Sequence, residues 1–277
     1  MGADVGETSP RQHSLNCVPH TCPRDFRIDR NSGYGLRRET FGWEEFVFKR
    51  TIDVSLSFAL LTFSLPLLAC AALAIKLDSD GPVFFCQARM GRGFRRFQVY
   101  KLRTMRVESC GPTYTTAEDP RITRAGRWLR WLKVDELPQL WNVLRGDMSL
   151  VGPRPMVPEL TLEFRQAYTL LLTVRPGLTD PATLKYCRED ELLSRVPDQE
   201  DYYKSVVTPD KLALSAAYLE RASGWTDFAV LARTAIALVP HTLIPHVLRS
   251  GRAAQPHAVS ERLFAEPAQP GEAEPAA

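Results

Sequence analysis

The chain has 277 residues, with 35 lysine and arginine residues against 32 acidic ones, so its formal net charge is +3. This length can bury one good hydrophobic core or two small ones, and the charge is too weak to indicate a nucleic-acid partner. The six cysteines form no Cys-x-x-Cys pair, which argues against a zinc site or a disulfide framework and favours a reducing compartment.

Composition divides the chain into four predicted segments. Residues 1–42 are polar and carry no secretory signal pattern, and residues 249–277 consist largely of Ala, Pro, Glu and Gln, so both are predicted to be disordered tails. Between them we predict a membrane helix over residues 43–77 and the main domain over residues 78–248.

The uncharged run from Val54 to Ile75 is long enough to cross the ~30 Å core of a bilayer. It fits a spanning helix, a buried soluble helix or a re-entrant helix hairpin. Pro66, which follows Ser64, predicts a bend in its middle. Basic residues precede the run at Lys49 and Arg50 and others follow it. Because basic residues mark the cytoplasmic side of a membrane segment, we favour the hairpin, which leaves both ends in the cytoplasm.

The main domain begins with a predicted β-hairpin. Residues 82–89 form one strand, residues 91–93 a turn and residues 94–103 the returning strand. A short helix over residues 124–133 interleaves aromatic and basic side chains, so its tryptophans fit either a membrane interface or the core.

Further helices are predicted over residues 158–172 and 209–222, and a surface-lying amphipathic helix over about 227–248. The predicted fold class is therefore α/β: a small membrane-docked domain with a re-entrant N-terminal helix hairpin, a β-hairpin and several amphipathic helices.

Two adjacent carboxylates, Asp135 and Glu136, open the most informative stretch of the chain. We predict that Asp135 is the N-cap of a helix with Pro138 in its first turn, and that Gly146 ends this helix. A Gly-Pro-Arg-Pro turn then holds Arg154 on a stiff backbone. The stretch thus predicts a carboxylate pair and an arginine beside a positive helix end, which suits phosphate chemistry.

This arrangement has two chemical uses. A carboxylate that the helix dipole keeps ionised can attack phosphorus and form an acyl phosphate. The same pair, Asp135 and Glu136, can also hold Mg²⁺, which prefers oxygen ligands and bridges to substrate phosphates. The residues predicted to neutralise a diphosphate are Lys101, Arg130, Arg154 and Arg175, although each alone fits an ordinary surface charge.

Several motifs together resemble the bacterial sugar transferase family, specifically its short-form monotopic phosphoglycosyl transferases. They are Lys49-Arg50-x-x-Asp53, the helix with Pro66, Gly81-Pro82-Val83-Phe84-Phe85-x-Gln87-x-Arg89-x-Gly91, Tyr100-Lys101-x-Arg103-Thr104-Met105, the stretch from Asp135 to Pro155, and Val174-Arg175-Pro176-Gly177. The resemblance runs from about residue 45 to 245, and the central motif is long and specific.

The resemblance implies a catalytic phosphoglycosyl transferase domain over residues 78–248. Such an enzyme moves a sugar 1-phosphate from a nucleotide sugar, usually a UDP-sugar, to polyprenyl (undecaprenyl) phosphate, the first membrane step of polysaccharide or glycoconjugate assembly. Asp135 would be the nucleophile that carries the sugar phosphate covalently, Glu136 would assist it, and Mg²⁺ would be the cofactor. Lys101, Arg130 and Arg154 match family positions that face the phosphates.

The resemblance also implies a place in the cell. Ser64 and Pro66 would bend a hairpin that docks the protein on membrane lipid at the cytoplasmic face of the bacterial inner membrane, and a homodimer stays open. The stretch of residues 180–190 departs from the family pattern, and its nucleotide-binding arginine would correspond to Arg188, displaced by one position. The alternatives are an inactive membrane-associated scaffold of the same fold and a soluble metal-dependent phosphohydrolase.

Overall fold

The structure is a computed structural model that describes residues 43–106, 115 and 119–238. Both predicted tails, and residues 239–248 of the main domain, lie outside the described residues. The helices are α1 (Trp43–Asp78), α2 (Arg124–Trp131), α3 (Gln139–Arg145), α4 (Pro158–Glu163), α5 (Arg165–Leu171), α6 (Pro181–Lys185), α7 (Glu189–Leu193), α8 (Gln199–Tyr202), α9 (Thr208–Glu220) and α10 (Gly224–Leu238). The strands are β1 (Phe84–Met90), β2 (Arg96–Leu102), β3 (Ser149–Val151) and β4 (Gly177–Thr179).

The apolar run lies in α1, the one described helix that is long and apolar enough to cross a membrane. Most of its apolar side chains are exposed, and Phe63 is 85% exposed, which argues against a buried soluble helix. The predicted helix hairpin is not confirmed, because α1 continues through Pro66 without a turn. The hydroxyl of Ser64 donates to the carbonyl of Leu61 at 2.9 Å, in the turn before the proline.

Polar side chains near the start of α1 fasten it to the domain. The buried carboxylate of Asp53 accepts hydrogen bonds from the Ser149 hydroxyl at 2.7 Å and from the Leu150 amide at 3.2 Å. Arg50 donates to the carbonyls of Val143 and Leu144 at the end of α3, where a cation also complements the helix dipole. The motif Lys49-Arg50-x-x-Asp53 therefore attaches the apolar helix to β3 and α3.

The predicted β-hairpin is present. Strands β1 and β2 pair antiparallel, with Phe84 opposite Leu102 and Met90 opposite Arg96. Since residues opposite each other share a face of a sheet, this register puts the alternate residues from Phe85 to Arg89 on the same face as Val99 and Lys101.

A second, parallel pair was not predicted. Strands β3 and β4 pair with Ser149 opposite Gly177 and Val151 opposite Thr179. A Cβ atom on Gly177 would lie 2.1 Å from the backbone nitrogen of Gly152, so this close approach requires glycine. The backbones of the two turns at Gly152 and Gly177 are thus in direct contact beside the β3–β4 pair.

The later helices differ from the prediction in their boundaries. The helix predicted over residues 158–172 is broken at Phe164, whose backbone leaves the helical region and separates α4 from α5. The helix predicted over 209–222 is α9, and the described part of the last apolar stretch is α10.

In α2 the side chain of Thr123 caps the first turn by accepting from the Gly126 amide at 2.9 Å. Leu129 is buried, whereas Trp128 and Trp131 are exposed and meet edge to face. The core alternative for these tryptophans is therefore wrong, and they remain available to a membrane interface.

Candidate active site

The acid pair lies just before α3, a helix that hydrogen bonds attach to strand β2. Asn142, which is fully buried, accepts from the Tyr100 amide at 3.1 Å and donates to the Gln98 carbonyl at 2.7 Å, so it joins α3 to β2. Gly146 ends α3 in the left-handed conformation, as predicted.

The prediction that Asp135 caps α3 is wrong. The residue lies in a short 3-10 turn over Val134–Glu136, and α3 begins only at Gln139, with Pro138 at its cap position. The turn follows Lys133, which adopts a left-handed backbone conformation with φ of 56°. Asp135 is therefore not held ionised by the first turn of this helix.

Glu136 is ionised and paired. One of its oxygens accepts hydrogen bonds from Lys101 Nζ at 3.0 Å and from the guanidinium of Arg154. Burial alone would raise the pKa of Glu136, but the charges of Arg154 and Lys101 outweigh burial and hold this pKa well below its usual range. Its side chain is 19% exposed.

Asp135 has the opposite electrostatic environment. It is 8% exposed, and its Oδ1 atom is buried without a hydrogen-bond partner among the described residues. Burial, followed by the neighbouring charge of Glu136, raises the pKa of Asp135. Two carboxyl groups whose pKa values are pushed apart are a common mark of an acid–base or nucleophilic site.

A large cleft of about 2120 Å³ opens beside this pair. Glu136 lines it together with Lys101 and Arg154, while Asp135 is not among its lining residues. Its far walls come from the segment around α6 and α7 and from α9 and α10. The cleft is thus large enough for a nucleotide sugar, and Lys101, Arg130 and Arg154 line it next to the acid pair.

The other predicted phosphate-binding residues are not all at the cleft. Arg130 lines it and stabilises the charged form of Asp135. Arg188 also lines the cleft, but its guanidinium lies 3.4 Å from Glu191 and is largely exposed. Arg175 lies elsewhere, because its Nε donates to the Gly146 carbonyl at 2.8 Å at the far end of α3.

The residues at this site fit Mg²⁺ only if substrate phosphates and water supply the rest of its ligands. The described residues contain no group of three or more His, Cys, Asp or Glu side chains that could hold a metal. Mg²⁺ commonly binds through one or two carboxylates and completes its shell with substrate phosphates and water. The unpartnered Oδ1 of Asp135 is an oxygen that could coordinate such an ion.

Arg89 also lines the cleft, although its sequence context alone indicated no role in the site. Arg89 Nη2 donates to Gln87 Oε1 at 2.6 Å, and its charge lies close enough to Arg154 and Glu136 to interact with both. The sequence feature that could have identified Arg89 is the alternation of residues along β1, which puts it on the face of the hairpin that carries Lys101.

The chain matches the family described as "Bacterial sugar transferase" over residues 44–241. Among its relatives is an undecaprenyl-phosphate glucose phosphotransferase of Komagataeibacter xylinus, 42% identical over 71% of this chain and 36% of the relative. Another is a UDP-glucose:undecaprenyl-phosphate glucose-1-phosphate transferase of Caulobacter vibrioides, 39% identical over 69% of each. A third is a putative undecaprenyl-phosphate N-acetylgalactosaminyl 1-phosphate transferase of Bacillus subtilis, 38% identical over 51% of this chain and 79% of the relative.

The chain therefore spans about a third of the first relative and most of the other two. The family match covers well over half of the chain and contains both acids and every residue of the cleft described above. The chain belongs to the bacterial sugar transferase family.

Proposed function

We propose that this chain transfers a sugar 1-phosphate from a UDP-sugar to polyprenyl phosphate, with undecaprenyl phosphate as the natural acceptor, through a covalent intermediate on Asp135. The main support for the proposal is the acid pair beside the cleft, whose two members have different environments. Two cations keep Glu136 in its ionised form, whereas Asp135 is buried with one oxygen that has no hydrogen-bond partner among the described residues. The three relatives named above are all described as phosphotransferases or sugar-phosphate transferases, which supports an active enzyme over an inactive scaffold.

In the first step Asp135 acts as the nucleophile. An oxygen of its ionised carboxylate forms a bond to the phosphorus that carries the sugar, and the bond from that phosphorus to UMP breaks, so UMP leaves with the electron pair. Because Asp135 lies just beside the cleft, it must turn towards the cleft that Glu136 already lines. Lys101, Arg130 and Arg154 stabilise the charge that develops on the phosphates.

In the second step an oxygen of polyprenyl phosphate attacks the same phosphorus. The bond between phosphorus and Asp135 breaks, which restores the carboxylate and releases the polyprenyl diphosphate sugar. Glu136 stays ionised throughout, so it holds Lys101 and Arg154 in position beside the reacting phosphates. Mg²⁺ held by Asp135, Glu136 and the substrate phosphates would neutralise part of the diphosphate charge.

The contacts of α1 support a monotopic position at the cytoplasmic face of the inner membrane. Before the apolar run, Asp53 bonds to Ser149; after it, Asp78 accepts from the Ala125 amide at 2.8 Å. Both ends of the run are therefore held by one domain, whereas a straight helix across the bilayer would put them about 33 Å apart on opposite sides. A continuous α1 that bends at Pro66 and leaves the bilayer on the side where it entered would keep both contacts and bring the cleft to the lipid surface.

The test is intact-protein mass spectrometry on detergent-purified protein with Mg²⁺ and a panel of UDP-sugars, in the absence of acceptor. We expect an added mass of one sugar phosphate, together with release of UMP. The adduct should be lost in Asp135→Asn and kept in the matched control Asp147→Asn, since Asp147 belongs to the turn after α3. Unchanged adduct in Asp135→Asn would refute the nucleophile, and no adduct with any donor would refute the proposed reaction.

A further inference from the structure

A second, much smaller cavity of about 20 Å³ lies against the main cleft. Its lining residues are Arg89, Val99, Lys101, Gln139, Arg154 and Pro155, and the three cations among them also line the cleft. The small cavity therefore lies next to the space that the cleft offers to substrate. A volume of this size holds one water molecule or one oxygen atom of a larger ligand.

The polar side chains around this cavity are hydrogen-bond donors. Gln139 is 2% exposed, and its Nε2 atom is buried without a partner among the described residues. A guanidinium has five N–H donors, and the hydrogen bonds of Arg89 go to Gln87 and, at 3.5 Å, to the Pro155 carbonyl. A buried donor without an acceptor is costly, so the cavity is built for an atom that accepts.

The charge around the cavity indicates an anionic acceptor. Three cations line it, and the hydrogen bonds described for the Glu136 carboxylate go to Lys101 and Arg154. Burial and the neighbouring charge of Arg154 lower the pKa of Arg89 to about 10, which still leaves it charged at neutral pH. An oxygen that carries negative charge would satisfy the free donors and offset the surplus positive charge.

We propose that Arg89 and Gln139 form an oxyanion pocket that receives a non-bridging oxygen of the phosphoryl group during its transfer. This inference depends on the proposed function, because it assigns the occupant of the same site. The reacting phosphorus would lie in the cleft, with one oxygen in the small cavity between Gln139 Nε2 and the Arg89 guanidinium. Both are then catalytic residues in addition to Asp135.

Two substitutions at Gln139 test the pocket. Gln139→Met keeps the volume and removes the donor, while Gln139→Glu keeps the shape and places a competing anion there. The control is Gln98→Glu: adjacent residues of a strand point to opposite faces, so Gln98 faces away from Val99 and Lys101 in β2. Loss of one oxyanion donor typically slows a reaction about 100- to 1,000-fold, so we expect Gln139→Met to slow adduct formation on Asp135 by about 100-fold. Gln98→Glu should react at the wild-type rate.

The second readout is the rise in melting temperature that inorganic phosphate produces in the full chain. Phosphate should protect the wild type and Gln98→Glu, while Gln139→Glu should bind it about tenfold or more weakly because the new carboxylate repels the anion. Both Gln139 variants should melt near the wild-type temperature without ligand, because a carboxylate there gains cationic partners and a methionine is volume-conserving.

The outcomes separate the pocket from the proposed function. If the wild type forms the adduct and Gln139→Met forms it equally fast, the cavity holds only water and the inference is overturned. If the wild type forms no adduct with any donor, the proposed reaction fails, and phosphate protection alone decides the pocket. Protection lost in Gln139→Glu would then support an anion site, and equal protection in both proteins would overturn it.

Discussion

Replacing the two adjacent acids one at a time should change folding stability in opposite directions. Because the pKa of Asp135 is raised, the folded state holds the Asp135 proton more tightly than the unfolded state does. The protonated carboxyl group therefore stabilises the folded state below the ordinary pKa of 3.8, and this stabilisation is lost as pH rises through the pKa of the folded state. At pH 7 the buried charge therefore opposes folding. Asp135→Asn removes this charge and should therefore raise the free energy of unfolding at pH 7.

Glu136→Gln should have the reverse effect. The low pKa of Glu136 contributes stability above the ordinary value of 4.5, and this contribution is lost as pH falls through the folded value. Removing the carboxylate leaves Lys101 and Arg154 without their shared partner. Breaking a buried ion pair costs about 3–5 kcal/mol. Because the Arg154 side chain is 31% exposed, we expect about 2–3 kcal/mol.

The assay is the melting temperature of ligand-free protein in detergent at pH 7, followed by tryptophan fluorescence. For a domain of this size 1 kcal/mol shifts the melting temperature by about 2–4 °C. Asp135→Asn should therefore melt at a higher temperature than the wild type and Glu136→Gln roughly 5–10 °C lower, while Asp147→Asn serves as the control. If Asp135→Asn were destabilised as strongly as Glu136→Gln, Asp135 would have an ionic partner and the electrostatic argument would be wrong. The gain from Asp135→Asn should also vanish at acidic pH.

Three further changes test the site and its support. The rate of adduct formation should rise with pH as Asp135 loses its proton, with the midpoint above 3.8, and a rate independent of pH from 4 to 7 would contradict the raised pKa. Asn142→Ala should cost about 2–4 kcal/mol in denaturant unfolding, because two partly buried backbone groups of β2 lose their partner; an unchanged midpoint would show that other contacts hold α3. Pro66→Ala should favour a spanning helix that puts the start of α1 across the bilayer from the domain, so a cysteine at Phe48, which is 64% exposed, should become reactive from the periplasmic side. Protection equal to that in the parent would count against the re-entrant arrangement.

Features set by local sequence were predictable. The hairpin of β1 and β2 follows from alternation around a glycine-containing turn, and Gly146 ends α3 because glycine reaches the left-handed conformation without strain. The length and apolar character of α1 follow from composition alone. Each of these depends on neighbours in the chain, which a single sequence displays.

Features set by contacts between distant segments were not predictable. The pattern of Asp135 and Pro138 is typical of a helix start, yet the chain makes a 3-10 turn there, where Glu136 pairs with Lys101 of β2 and with Arg154. The parallel pair β3 and β4 was missed because each strand has only three residues and their pairing joins segments that only the fold brings together. Arg89 escaped notice for a similar reason, since its position beside Lys101 depends on strand register.

The same contacts explain how a membrane segment can set the position of the chemistry. Arg50 of α1 bonds to the last turn of α3, and the acid pair directly precedes the first turn of α3, about 10 Å away at 1.5 Å per residue. Asn142 fixes α3 against β2, the strand that carries Lys101. In the proposed membrane arrangement, the depth at which α1 lies in the bilayer therefore determines the height of the carboxylates above the lipid phosphates. A polyprenyl phosphate, whose reactive group is confined to that surface, then meets Asp135 without a large movement of the domain.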